Sequence, residues 1–258
     1  MLFRSKKFKL PEVLINEWNH TSRTDSPGES LTDNNISAAL AIQRLAMAAR
    51  IATAKPLRLF FFSAIDGWNV TKPLSGDLGL LTVNGHRKAV YNGFKLFSML
   101  EPQGVWSAID GNPADYISLG VGVLASRSDQ DHATTVLGWN TGKSDVDVSL
   151  QLTGLKPAGG GRQMQIVRFV VDATHGNIAA DLKNFAGYSP TPAETLQPVR
   201  NELVPSATTW GDAVTLPASS VTLWMVLPLP NSGQPREFAP PVRVVNLAAG
   251  KPVTVSSQ

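Results

Sequence analysis

Glu17 sits in the run Asn16-Glu17-Trp18-Asn19, immediately after the short apolar segment Val13-Leu14-Ile15. A carboxylate at the end of a buried strand can act as a nucleophile or move a proton. The neighbouring indole could offer an apolar face to a sugar ring, and Asn19 could hydrogen-bond a hydroxyl. The competing reading is an ordinary strand-end glutamate, solvated or paired with an arginine. Asp66, in Ser63-Ala64-Ile65-Asp66-Gly67-Trp68, ends the next apolar run in the same manner. It could bind a sugar hydroxyl or cap the loop beyond it, and the sequence alone favours the cap.

Other chemistries find less support. The four histidines, His20, His86, His132 and His175, show no metal-ligand spacing, and the chain has no cysteine for thiolate ligands, thiol catalysis or disulfides. Asp172-Ala173-Thr174-His175 lacks a nucleophile elbow, so an Asp–His hydrogen bond that fixes a turn is its expected role. Gly159-Gly160-Gly161 precedes a strand rather than a helix, which argues against a phosphate loop. A metal site is not expected from the spacing of the histidines.

These residues need elements to position them. The chain has 258 residues, 43% of them hydrophobic and 17% charged, enough to bury a sizeable core. Its formal charge is only +3 and its basic residues are scattered, so no nucleic-acid-binding stripe is expected. No apolar run is long enough to span a membrane. The basic start, Arg4 to Lys9, lacks the apolar stretch of a signal peptide. Helical spacing predicts a helix over 35–51, from Ile36, Leu40, Leu45 and Met47, and a second over 86–100, from Val90, Phe94, Phe97 and Leu100. Leu57 to Ser63 reads as a strand buried on both faces. Strand, helix, strand, helix implies parallel βα units. From about Tyr116 the pattern turns all-β, with strands expected over 117–125, 134–140, 146–152, 164–171 and 221–227, separated by turn clusters. Residues 228–241 are rich in proline and polar residues, as in a linker.

Several segments together resemble the family 39 glycoside hydrolases, the family of β-xylosidases and α-L-iduronidases. Leu14-Ile15-Asn16-Glu17-Trp18-Asn19 resembles the family's nucleophile strand, and Phe60-Phe61-Phe62-Ser63 its aromatic eighth strand. Gly76 to Gly85 resembles the family's G-x-x-GLLT-x-NG loop, Lys88 to Leu96 its last helix, and Val171 to Asn177 a segment of its accessory sandwich. Asn246 to Ser257 resembles the opening strand of a discoidin (factor 5/8 type C) domain.

The resemblance implies a fold of α/β plus all-β class: the last two βα units of a (β/α)8 TIM barrel, followed by an antiparallel β-sandwich. The implied boundaries are 1–103 for the barrel part, 104–230 for the sandwich, 231–245 for a linker and 246–258 for the start of the discoidin-like domain. It implies a retaining glycosidase acting on an oligosaccharide or glycoside, β-xyloside-like, with Glu17 as nucleophile. Asn16, Trp18, Asn19, Asp66 and Trp68 would then surround the substrate. The family's Asn-Glu-Pro acid/base motif does not occur in this sequence. The expectation is therefore a fragment of the enzyme, inactive alone, whose parent is secreted or periplasmic. A non-catalytic carbohydrate-binding module, or an inactive relative of the family, remains the alternative.

Overall fold

The computed structural model describes residues 13–19, 31–52, 57–67, 74, 76–110, 112–113, 120–158, 161–184, 191–231 and 233–238. Strand β1 (Val13–Trp18) pairs in parallel with β2 (Leu57–Phe61), Val13 lying opposite Leu57 and Ile15 opposite Leu59. Parallel neighbours need a long crossover. It is made by α1 (Asn35–Ala52), an alanine-rich helix of high intrinsic propensity. Asn34 caps α1, its Oδ1 accepting the Ile36 N–H at 2.9 Å.

The second helix, α2 (Ala89–Ser98), is shorter than the 86–100 expected from spacing. His86 and Arg87 are held in a loop instead: the Thr82 N–H donates to the His86 carbonyl at 2.9 Å, and Arg87 bridges to Leu81. The two helices pack closely through small residues. A Cβ on Gly93 would stand 3.3 Å from the Ala38 Cβ, so only glycine accepts this approach without displacement.

The remaining strands are β3 (Gln103–Val105), β4 (Ala108–Ile109), β5 (Asn112–Pro113), β6 (Val121–Arg127), β7 (Thr134–Asn140), β8 (Val146–Thr153), β9 (Gln163–Val171), β10 (Pro198–Pro205), β11 (Thr209–Leu216) and β12 (Ser220–Leu229). Six of them form an antiparallel sheet in the order β10-β9-β12-β7-β6-β3. β8 and β11 form a separate ribbon, and β4 and β5 a short hairpin. Four of the five expected β segments match β7, β8, β9 and β12 to within two residues at either end. β6 overlaps the fifth only at Val121–Ala125, and residues 114–119 lie outside those described.

The sheet is covered on both faces, and alternation along β12 assigns its side chains. Val221, Leu223, Met225 and Leu227 join Ala38, Ile42 and Ala46 of α1 and Ala89 and Leu96 of α2 in one core. Trp224 faces the other way, against Val148, Leu150, Trp210 and Val214 of the β8–β11 ribbon. Two-sided coverage explains why burial is continuous along β7 and nearly so along β12, whereas in β8 it mostly alternates. Residues 233–238, within the stretch read as a linker, are seated on this sheet. Phe238 packs edge-on against Phe169 at 5.4 Å, and the Arg236 N–H donates to Gln165 Oε1 at 2.8 Å. Residues 246–258, the discoidin-like segment, lie outside the described residues. No helix among the described residues is long and apolar enough to cross a membrane.

Candidate functional site

Glu17 lies at the C-terminal end of β1 and is solvent-exposed. Its orientation follows from a register shift. Ile15 pairs with Leu59, but Trp18 pairs with Phe61, so β1 carries one residue more than β2 between those pairs. Such a bulge re-aims the side chains beyond it. Trp18 is thereby turned onto the face of Phe61, and the two rings meet α2: Trp18 and Phe61 centroids are 5.2 Å apart, and each packs on Phe94. Glu17, the residue before, points to the opposite, open side.

The residues around Glu17 are fixed by polar ties rather than by apolar packing. The Asn19 side-chain amide donates to the carbonyls of Phe62 and Leu78, joining the end of β1 to the end of β2 and to the loop that follows. That loop doubles back along the extension of β2. Leu80 N–H donates to Ser63 O, Leu81 N–H to Ala64 O and Asp66 N–H to Leu81 O, all at 2.9–3.0 Å.

Beneath the loop sits a buried ionic cluster centred on Lys88, which is fully buried. Its Nζ contacts Asp33 Oδ1 and Asp66 Oδ1 at 2.7 Å each and donates to the Asp77 carbonyl at 2.8 Å. Other carboxylate oxygens of the cluster cap backbone groups. Asp33 Oδ2 accepts the Gly76 N–H, and Asp77 accepts the N–H groups of Gly67 and Leu78. Burial pushes the Asp66 carboxyl above its ordinary value and Asp33 adds to the rise, against the opposing pull of Lys88 and of the Gly79 N–H. Gly79 approaches so closely that a Cβ there would fall 2.4 Å from the Asp66 nitrogen, so this position requires glycine.

The candidates read from sequence are thus distributed unevenly. Glu17 is exposed and Asn19 ties the strand ends together. The Trp18 indole is packed on α2. Asp66, a candidate for a sugar hydroxyl, is only 3% exposed and caps Gly79 through Oδ1 at 2.8 Å. The side chain of Asn16 and all of Trp68 lie outside the described residues. Asp172 accepts the backbone N–H groups of Thr174 and His175 and meets His175 Nδ1 at 3.0 Å, an aspartate-fixed turn. Burial raises its carboxyl pKa, but these hydrogen bonds and His175 outweigh it and hold it below the ordinary value. Among the described residues no cluster of three or more acidic or histidine side chains could hold a metal ion.

Sequence reasoning missed Lys88 and a second buried pair, His86 with Glu194. His86 Nδ1 lies 2.9 Å from Glu194 Oε1, both residues 1% exposed, while Arg87 and Thr191 donate their N–H groups to the same carboxylate at 2.6 Å each. Asn92 reinforces the join by donating to the carbonyls of Gly176 and Glu194. The β-rich region therefore grips residues 86–92, which in turn hold the loops beside Glu17. One signal was present in the sequence: His86, Arg87 and Lys88 crowd the start of an otherwise apolar helix.

Comparison with protein-family profiles finds no match, and neither does comparison with curated sequences. Solved structures do match. The fold is similar to that of the GH39 enzyme from Xanthomonas axonopodis pv. citri, at TM-score 0.64 and 13% identity over 84% of this chain and 45% of that one. It is equally similar to a monomeric beta-xylosidase from Caulobacter crescentus CB15, at TM-score 0.64 and 17% identity over 85% and 46%. A bacterial orthologue of human α-L-iduronidase matches at TM-score 0.62 and 15% identity over 84% and 42%. The chain spans a little under half the length of these structures. The described chain has a GH39-like fold.

Proposed function

We propose that this chain supplies the nucleophile-bearing part of a retaining glycoside hydrolase acting on β-xyloside-like substrates. In this reading β1, α1, β2 and α2 are the last two βα units of a (β/α)8 barrel. The six-stranded sheet and the β8–β11 ribbon form its accessory sandwich, within the boundaries 1–103 and 104–230. The observation that carries the proposal is the bulge in β1, which turns Glu17 to the open face at the C-terminal end of a parallel strand. In barrel enzymes that end of the strands holds the active site. The GH39-like fold supports the choice of reaction.

Glu17 would attack the anomeric carbon and displace the leaving group, giving a covalent glycosyl-enzyme. A second carboxyl group, about 5–5.5 Å away, would protonate the leaving oxygen and then deprotonate the water that releases the sugar. Asp66 is unsuited to that second role because Lys88 and Gly79 already hold its carboxylate. The acid/base group is assigned to a segment outside this sequence, which has no Asn-Glu-Pro motif. Asn16 and Trp68 remain proposed substrate contacts. Trp18, Asn19 and Asp66 are proposed to position Glu17 and the loop beside it.

Residues 1–258 alone should release no aryl alcohol from an aryl β-xyloside, because general acid catalysis typically contributes about 10²–10⁴-fold. In a polypeptide that also carries the acid/base segment, a 2-fluoro-xyloside should label Glu17, as read by peptide mass spectrometry. Glu17→Ala should nearly abolish turnover, and azide should restore part of it by entering the vacated face. A label on another carboxylate, or a loss of less than about tenfold in Glu17→Ala, rejects the assignment.

A further inference from the structure

The edge of the six-stranded sheet remote from β10 is closed by β3 only where Gln103–Val105 face Ala125–Arg127. The next residue, Trp106, is 76% exposed, the highest value for any large apolar side chain among the described residues. The same region buries Trp139 and Trp224 almost completely, at 1% and 2% exposure. A tryptophan left mostly in water contributes little to the core. It presents a flat apolar face to whatever approaches.

Trp106 stands between two grooves that share Val105, Trp106, Ser107 and Ala125. One, of about 620 Å³, runs to the C-terminal ends of α1 and α2, where Phe97 and Leu100 give an apolar wall and Arg50 and Glu101 give charge. The other, of about 370 Å³, runs along β8, past the polar side chains of Arg127, Gln151 and Thr153. Both volumes fall in the range of roughly 300–1,000 Å³ typical of ligand sites.

The mixture of surfaces selects the occupant. A pyranose ring has one face of C–H groups and a rim of hydroxyls. The indole suits the first, since an aromatic ring offers a large flat apolar surface. The flanking guanidinium, carboxylate and amide groups suit the second. Both grooves carry charged or amide side chains beside mainly apolar walls, Arg50 and Glu101 in one and Arg127 and Gln151 in the other, groups to which a lipid chain or an apolar helix face offers no hydrogen bonds. Grooves on either side of one platform also call for a ligand longer than a single ring. We propose that Trp106 and its two grooves form a surface site for neutral oligosaccharides. The crossover α1 runs from the C-terminal end of β1 to the N-terminal end of β2, so its last turn, with Arg50, lies at the opposite end of the strands from Glu17. The site is therefore remote from Glu17 and stands without any assumption about catalysis.

The test is a titration of intact 1–258 with xylo-oligosaccharides, followed by tryptophan fluorescence and calorimetry, with free xylose as control. Only the choice of xylose as the sugar rests on the proposed function, so cello-oligosaccharides are titrated in parallel. The expected result is saturable binding of an oligosaccharide that Trp106→Ala weakens at least about tenfold, the loss expected of a central aromatic contact. The thermal midpoint of Trp106→Ala should stay unchanged, because the side chain is mostly in water. No saturable binding of either series, or binding that survives Trp106→Ala, overturns the proposal. So does a change in sedimentation on Trp106→Ala with no response to sugar, which would make the indole a contact between copies. Failure of Glu17 to accept a covalent label would leave this site untouched.

Discussion

Strands β2 and β7 each carry a short apolar run, Leu59-Phe60-Phe61 in one and Val136-Leu137-Gly138-Trp139 in the other, yet they end in different surroundings. Every residue of β7 is buried, between α1 and α2 on one side and the β8–β11 ribbon on the other. In β2 only alternate residues are half-buried, and Phe60 remains 52% exposed, as does Leu14 on β1 at 55%. An apolar run states a demand for two covered faces. The six-stranded sheet meets that demand within the chain, and the β1–β2 pair meets half of it. The open half is the face onto which Glu17 is turned. The two regions also differ in how they hold their loops: a buried ionic cluster beside β2, backbone ladders and aspartate-fixed turns in the sheet.

The largest expected effect comes from removing the cation of that cluster. Lys88→Met leaves Asp33 and Asp66 buried without their partner and should cost about 3–5 kcal/mol in urea unfolding. A cost under about 1 kcal/mol would mean that the loop beside Glu17 does not depend on it. Leu223→Ala, in the two-sided core, should cost about 2–5 kcal/mol through lost burial and a cavity. Gly122→Ala should cost about 1–3 kcal/mol by overpacking, since the new Cβ would fall 2.1 Å from the Trp139 ring. Phe60→Ser, on the open face, should change stability by less than about 0.5 kcal/mol and should reduce aggregation of the isolated chain. A Phe60→Ser cost comparable to that of Leu223→Ala would erase the contrast between the regions.

Acid titration offers a subtler separation. Asp66 has a raised folded pKa, so its ionisation weakens the fold. That penalty is absent below the ordinary aspartate value and is complete above the raised one. Asp172 has a depressed folded pKa, so its contribution is present above the ordinary value and is lost as pH falls through the folded one. The stability difference between wild type and Asp66→Asn should therefore fall as pH rises across the acid range. The difference between wild type and Asp172→Asn should grow. Slopes of the same sign would contradict the opposite balance of burial and hydrogen bonding at the two sites.

Much of the element structure was legible along the chain. Helical spacing and alanine content gave α1 to within a residue at its end, and apolar runs bounded by turn residues gave β7, β8, β9 and β12. β10 and β11 were not read, because Arg200, Glu202 and Asp212 interrupt their apolar pattern, and Arg200 and Asp212 do so from half-buried positions where they pair with each other. The network of these residues, with Arg200 Nη1 donating to Asp212 Oδ1 at 2.9 Å and Trp224 Nε1 to Oδ2 at 2.9 Å, joins the sheet to the ribbon. Such a network has no local signature.

The sequence by itself determined that Glu17 ends a strand and that a helix follows before the next parallel strand. Both are consequences of short-range periodicity and chain punctuation. Only the tertiary structure decided which way the residues around Glu17 face. Simple alternation gives each strand residue a side, but one extra residue in β1 reverses that assignment, and the need for it arises from the partner strand. The setting of Asp66 was likewise decided from afar. Lys88 gathers Asp33, Asp66 and Asp77 from three separate segments, and Glu194 reaches His86 across 108 positions. A charge is stable in a dry interior only where its partner is already in place, and that pairing exists only once the chain has folded.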